Sequence, residues 1–174
     1  MARLPYADLN AADVRPLAEK IIQQRGSVLH LYQMLMHSAP LADGWLTFLT
    51  AIRQKCSLAG SLRELVIMRV AILNGAQYEA DQHAPIARNE GVTDQQLADL
   101  AQWEASNSYS AKQRAVLALT DSMTRDIKVP DAIMDEARRH FSDKETVELV
   151  ATIAAYNMVS RFLEALDIHS HDER

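Results

Sequence analysis

Hydrophobic positions recur along most of the chain with helical rather than alternating spacing. Leu65, Met68 and Ile72 lie three and four residues apart, which places them on one face of a helix. Later runs repeat the pattern, with Val116, Leu119 and Met123 in one and Leu149, Ile153 and Val159 in another. No hairpin dipeptide separates alternating runs, and β-branched residues do not cluster in short segments. The sequence therefore predicts an all-α fold.

Helix-start signals support this prediction. A Ser or Thr followed three residues later by Glu or Gln forms a capping box, in which each side chain accepts from a free backbone N–H. The four matches are Ser61 to Glu64, Thr93 to Gln96, Ser110 to Gln113 and Ser142 to Glu145. With Gly and Pro as punctuation, the predicted helices are 11–25, 27–37, 41–56, 61–74, 76–90, 93–103, 110–126, 130–140 and 142–167.

Two of the predicted helices, 61–74 and 142–167, are apolar over most of their circumference. Such helices are buried on several sides, either in the core of the domain or between subunits, so we expect a homo-oligomer. A chain of 174 residues is most simply one domain. The polar tail, residues 169–174, is predicted to fray.

Composition and charge limit the classes of function. The net charge of -5 is spread along the chain without a basic run, so nucleic acid and membrane surfaces are not expected partners. The N-terminus lacks the apolar core of a secretory signal, and no apolar run approaches a membrane span. Cys56 is the only cysteine, which rules out an intrachain disulfide and favours a reducing cytoplasm.

The segment 64–83 carries the candidate chemistry. Glu79 and His83 are four residues apart, one turn along the same helix face, while Glu64 lies before the break at Asn74-Gly75. A helix hairpin at that break would bring all three side chains together as a proton-handling site. The simpler alternatives are a surface ion pair of about 0.3–0.5 kcal/mol for Glu79 and His83, and a capping role for Glu64.

The same region resembles a known family. The strings RELVIMRVAILNG, YEADQHAPIARNEGVTDQQL and LVATIAAYNMVSRFLEAL resemble the carboxymuconolactone decarboxylase family, which belongs with the alkylhydroperoxidase D-like (AhpD-like) proteins. The resemblance implies an AhpD-like helical bundle that assembles as a trimer or hexamer. It covers a domain at 40–168, and residues 1–39 are then an N-terminal helical extension packed on that domain.

The peroxidase branch of this family carries a glutamate, a C-x-x-C pair and a histidine. In this chain the glutamate position falls on Glu64 and the histidine position on His83, but Ala76 and Glu79 occupy the two cysteine positions. Peroxide reduction in that branch needs a nucleophilic thiolate and a second thiol to resolve it. The resemblance therefore disfavours peroxidase activity.

The decarboxylase branch has a similar Tyr-Glu followed by His. The resemblance implies release of CO2 from a small lactone, with His83 as general acid/base, Glu79 as its orienting or proton-sharing partner and Glu64 as a further catalytic candidate. This reaction requires no metal or organic cofactor, and the six histidines are dispersed rather than clustered as metal ligands. The alternative is a non-catalytic oligomeric protein that binds a small metabolite.

An anionic substrate would also need binding groups. Tyr78 can donate its hydroxyl to a carbonyl or carboxylate, and Arg69 and Arg161 can bind a carboxylate with two parallel hydrogen bonds. Each of the three also has an ordinary structural explanation: ring packing for the tyrosine, and a salt bridge or a solvated helix edge for the arginines. The substrate-binding assignment thus stays open at the level of sequence.

Overall fold

The computed structural model describes residues 1–172 and confirms the all-α fold. Throughout that range the regular structure is helical, with no strand. The α-helices are α1 Arg15–Arg25, α2 His30–Leu35, α3 Ala39–Thr50, α4 Gly60–Asn74, α5 Gln77–Asn89, α6 Asp94–Asp99, α7 Ala111–Arg125, α8 Asp131–Arg138 and α9 Asp143–Leu166. Each predicted helix is present, with ends that differ by a few residues.

Three of the four predicted capping boxes are confirmed, at the starts of α6, α7 and α9. The fourth prediction, for Ser61 and Glu64, is wrong. Helix α4 begins at Gly60, after Ala59, and no side chain caps it. The carboxylate of Glu64 instead accepts hydrogen bonds from side chains, as described below, so capping does not explain this glutamate.

Two predicted helices change their geometry before they end. Helix α3 continues into one π-helical turn, Ala51–Lys55, and α6 continues into a 3₁₀ segment, Leu100–Ala105, with a kink at Gln102. Isolated π-turns inside helices occur frequently at functional sites. The turn after α3 lies beside the cavity described below.

Helix α4 forms the centre of the fold, where it packs against α5, α7 and α9. Ten consecutive residues of α4, from Leu62 to Ala71, are buried, because neighbouring helices surround this helix. The N-terminal segment joins the same core: Val14, Ile21 and Leu31 are buried in one hydrophobic cluster with residues of α4 and α9.

Helix α9 is long and apolar enough, by length and composition, to cross a membrane, which the sequence analysis did not expect. Half of its most apolar window is buried against the rest of the protein, as in core helices of globular domains. Val147 and Met158 remain exposed on α9, and Leu41 and Phe48 on α3. These side chains suit the predicted homo-oligomer, which stays a prediction.

The C-terminal tail is held by the N-terminal segment as far as residue 172. The hydroxyl of Tyr6 donates to the carboxylate of Asp172 at 2.6 Å, and a guanidinium nitrogen of Arg3 donates to the carbonyl of Ala165. The remainder of the tail predicted to fray, residues 173–174, lies outside the described residues.

Candidate functional site

The hairpin between α4 and α5 brings Glu64 and His83 into contact. Gly75 ends α4 with a φ of +68°, in the left-handed region that favours glycine, and α5 starts two residues later. The two helices then run side by side, and Nδ1 of His83 lies 2.7 Å from Oε2 of Glu64. The partner of His83 is therefore Glu64. The predicted pairing of His83 with Glu79 is corrected.

Glu64 is completely buried, and its ionised form is stabilised by two neighbours. Burial opposes ionisation, but the hydrogen bond and charge of His83, followed by those of Arg63, outweigh it and lower the pKa of Glu64. Arg63 donates from Nε to Oε1 of Glu64 at 3.0 Å and from Nη2 to Glu90 at 2.9 Å. Glu64 is thus a buried carboxylate that accepts from the imidazole on one oxygen and from the guanidinium on the other.

His83 is a neutral imidazole near pH 7. Burial lowers its pKa, although Glu64 acts in the opposite direction. Because the Glu64 carboxylate accepts from Nδ1, the proton of the neutral ring lies on Nδ1 and Nε2 keeps its lone pair. Within residues 1–172, Nε2 forms no hydrogen bond, and it is not among the fully buried atoms. This arrangement makes Nε2 a proton acceptor.

Replacement Glu64→Gln tests this electrostatic arrangement. We expect the pKa of His83 to fall further, because the variant removes the negative charge that favours the imidazolium. The amide can also donate to Nδ1, which would move the ring proton to Nε2. A ¹⁵N NMR titration of the histidine rings measures both effects. An unchanged titration of His83 would contradict the assigned pairing.

Glu79 has a different environment from Glu64. Burial raises its pKa to about 8, although a hydrogen bond with Ser160 acts against this and the charge of Glu164 adds to it. The hydroxyl of Ser160 lies between the carboxyl group of Glu79 and the carbonyl of Tyr156. This hydroxyl donates to Oε2 of Glu79 as well as to the carbonyl, so the proton of a neutral Glu79 lies on Oε1, the oxygen that has no partner in the described chain.

His83 and Glu79 line the same small cavity, of about 40 Å³. Its other wall residues are Leu29, Leu31, Tyr32, Leu49, Arg53, Tyr78, Gln82, Tyr156, Val159 and Leu163. Two buried polar atoms on this wall, Oε1 of Glu79 and the hydroxyl of Tyr156, have no hydrogen-bond partner in the described chain. Buried polar groups are usually paired, so these atoms indicate room for a polar ligand.

Tyr156 also fixes the histidine ring. The ring centroids of His83 and Tyr156 are 5.2 Å apart, and the planes are nearly perpendicular, an edge-on geometry that aromatic pairs favour. Burial raises the pKa of the Tyr156 phenol, so its hydroxyl stays protonated and can donate. The sequence analysis did not single out Tyr156, because its place near His83 follows from the packing of α9 on α5.

The N-terminal segment forms part of the cavity wall. Leu29, Leu31 and Tyr32 all belong to the predicted extension 1–39, and the ring of His30 lies 6.0 Å from the ring of Tyr78. A space of about 40 Å³ holds little more than one water molecule. A substrate would therefore need some side chains of the wall to move. Three side chains of this wall belong to the N-terminal segment.

The structure places Tyr78 at this cavity, but Arg69 and Arg161 elsewhere. Nε and Nη2 of the buried Arg69 donate to the two carboxylate oxygens of Asp121, at 2.6 and 2.7 Å. Its Nη1 donates to the carbonyls of Leu100 and Ala101. Arg161 is exposed and donates to the Oδ1 atom of Asn157. Neither guanidinium lines the cavity, so any cationic group for a substrate must come from another residue.

Metal and thiol chemistry gain no support from the geometry. In residues 1–172, no group of three or more His, Cys, Asp or Glu side chains is arranged to hold a metal ion. Burial raises the pKa of the Cys56 thiol, and the charge of Glu148 adds to this. A thiol that stays protonated is a poor nucleophile, and Cys56 is the only one in the chain.

The chain belongs to the carboxymuconolactone decarboxylase family, whose model matches residues 39–122. That match contains Glu64, Glu79 and His83. Among related proteins, the uncharacterized protein YdfG of Bacillus subtilis is 30% identical over 115 residues, which cover 65% of this chain and 78% of YdfG. YnjA of Escherichia coli is 29% identical over 127 residues, or 72% of this chain and 66% of YnjA.

Solved structures support the AhpD-like fold. A protein of unknown function from Agrobacterium tumefaciens is 25% identical, with a TM-score of 0.73 over 79% of this chain and 95% of its own. An uncharacterized peroxidase-related protein with an alkylhydroperoxidase AhpD core, from Ralstonia eutropha, has a TM-score of 0.83 at 19% identity. The match covers 98% of this chain and 93% of that protein. The debrominase Bmp8, solved with 2,3,4-tribromopyrrole, reaches 0.80 at 20% identity, over 95% and 89%.

Proposed function

We propose that this protein catalyses cofactor-independent proton transfer, with or without loss of CO2, on a small lactone or keto acid. The observation that carries the proposal is the pairing of opposite proton-transfer groups on one cavity. His83 offers a free Nε2 lone pair, and Glu79, with a pKa of about 8, keeps its proton near pH 7. Environments that push two titratable groups apart in this way are typical of acid–base sites.

The chemistry follows from these two groups. Nε2 of His83 accepts a proton from the carbon next to a carbonyl, and the electron pair of the broken C–H bond passes into the carbonyl as an enolate. Glu79 and the hydroxyl of Tyr156 stabilise the charge on that oxygen by donating hydrogen bonds. The imidazolium then returns the proton to another carbon of the conjugated system. Glu64 is a positioning residue that holds the imidazole tautomer and favours its charged form.

In a decarboxylation the cavity groups act differently, because no C–H bond is broken and Glu79 supplies the proton. The C–C bond to the carboxylate breaks, CO2 leaves, and the electron pair passes through a conjugated double bond into the carbonyl. The resulting dienolate then takes up one proton at a carbon of the conjugated system, and Glu79 can deliver it. The fold alone does not select between these reactions, because one fold hosts unrelated chemistries.

Release of CO2 from γ-carboxymuconolactone by the purified protein tests the decarboxylation directly. The family resemblance and the acid–base pair predict turnover without added metal or cofactor. A panel of related lactones and keto acids, followed by NMR in D2O, extends the test to proton transfer without CO2 loss. If no compound of the panel gives a product or takes up deuterium, the proposal of catalysis is contradicted.

A second candidate function is non-catalytic binding of a small metabolite. It is favoured by the aliphatic and aromatic side chains of the cavity wall and by the unpaired atoms of Glu79 and Tyr156, which would serve a resting ligand equally well. Binding alone predicts a ligand-dependent rise in melting temperature without product. Product formation that depends on His83 would exclude this alternative.

A further inference from the structure

Arg53 is a cation on the cavity wall that no carboxylate neutralises. It lies in the π-helical turn after α3, and its side chain is half-buried. In the described part of the chain it forms no ion pair and no hydrogen bond, whereas Arg63 and Arg69 each bind carboxylates directly. Its charge acts on the groups of the cavity. It adds to the effect of burial in lowering the pKa of His83, and it opposes the effect of burial, which raises the pKa of Tyr156.

Arg53 differs from the neighbouring Arg63 because it has no carboxylate partner among the described residues. Arg63 lies between Glu64 and Glu90, so its charge is compensated. His83 and Glu79 are neutral near pH 7. The carboxylate of Glu164 is exposed on the outer side of α9 and is screened by solvent. A half-buried guanidinium without a partner attracts an anion from solution, and its planar fork matches a carboxylate.

We infer that Arg53 binds a carboxylate of the substrate and so makes the cavity selective for carboxylates that carry a second, reactive carbonyl. This inference rests on the proposed function and names the substrate class for that site. The carboxylate lies against the Arg53 fork, and the reactive carbonyl points toward Glu79, His83 and the Tyr156 hydroxyl. Two fixed ends orient the carbon that exchanges its proton.

The inference also explains the place of the π-turn. An extra residue in one turn rotates the side chains that follow relative to a regular α-helix, and Arg53, within this turn, lines the cavity together with residues of α5 and α9. Ile52, the residue before it, stays buried in the core. The turn thus combines a core contact and a cationic cavity wall in adjacent residues.

Binding of 4-oxopentanoate and of its methyl ester, each measured by isothermal titration calorimetry, tests the inference without requiring turnover. We expect the wild-type protein to bind the anion at least 10-fold more tightly than the uncharged ester. Arg53→Gln should lose about 10- to 100-fold in affinity for the anion and little for the ester. Arg53→Lys should fall between, because it keeps the charge and loses the fork.

Lys55→Gln is the matched control, because Lys55 is an exposed cation in the same turn. Its removal should leave both affinities unchanged. Equal binding of acid and ester by the wild-type protein, or an equal loss in Lys55→Gln and Arg53→Gln, would overturn the inference. If anion selectivity depends on Arg53 but the protein shows no turnover, the inference stands and the proposed function is refuted. If the protein shows turnover that Arg53→Gln does not change, the proposed function stands and the inference is refuted.

Discussion

Replacement His83→Ala is expected to lower kcat/KM by about 1,000-fold, because general acid–base groups typically contribute 10²- to 10⁴-fold. The variant removes the imidazole that, on the cavity wall, combines a free lone pair with a supporting carboxylate. Binding of substrate should change much less, since Arg53 and the aliphatic wall remain. Steady-state kinetics on any substrate that the wild-type protein turns over measures the effect.

Two further variants separate catalysis from folding in this test. His83→Ala leaves Glu64 buried with Arg63 as its remaining partner, so some loss of stability is expected. His83→Gln keeps much of the volume and can donate an amide N–H to Glu64, which preserves the fold without supplying a base. His169→Ala removes an exposed histidine in the tail and should be fully active. An active His83→Gln variant would refute the assigned role.

Glu79→Gln is expected to change the pH dependence of the free energy of unfolding. In the wild-type protein the pKa of Glu79 rises from its ordinary value of 4.5 to about 8 on folding. Between these values the folded state holds a proton that the unfolded state has released, so stability falls as pH rises from 4.5 to 8 and then levels off. Each pKa unit corresponds to about 1.4 kcal/mol, which makes the total on the order of 3–5 kcal/mol.

Urea unfolding at a series of pH values measures this difference. The Gln variant lacks the ionisation, so its stability relative to the wild type should rise steadily from pH 5 to pH 8. His83 contributes a loss of stability below its ordinary pKa of 6.5, because the unfolded imidazole takes up a proton there; both proteins share that loss, and it cancels. Glu104→Gln, at an exposed site, should track the wild type. A constant difference between Glu79→Gln and the wild type would contradict the protonated carboxyl group.

The helices could be predicted from sequence because their signals are local. Apolar residues three and four apart, together with the three capping boxes that the structure confirms, predicted nine helices without reference to the fold. The break at Gly75 also predicted the hairpin that joins Glu64 to His83. The prediction for Ser61 failed for a tertiary reason, since the Glu64 side chain is bound by Arg63 and His83 and is not available to cap α4.

The details of the site depended on contacts that spacing along the chain does not encode. Glu79 lies one turn from His83, yet it binds Ser160, which is 81 residues away. Arg69 resembled an anion site, but Asp121 compensates it from 52 residues away. The sequence analysis did not single out Arg53, because its place on the cavity wall is visible only in the structure.

Deuterium uptake from D2O into the carbon next to the carbonyl of 4-oxopentanoate and related keto acids tests the central claim most directly. The reaction requires nothing beyond a base on the cavity and a donor to the carbonyl. Our account predicts exchange by the wild-type protein near pH 7, with the rate falling about 1,000-fold to background in His83→Gln and unchanged in His169→Ala. Exchange that proceeds equally in wild type and His83→Gln would contradict the assignment of His83 as the base.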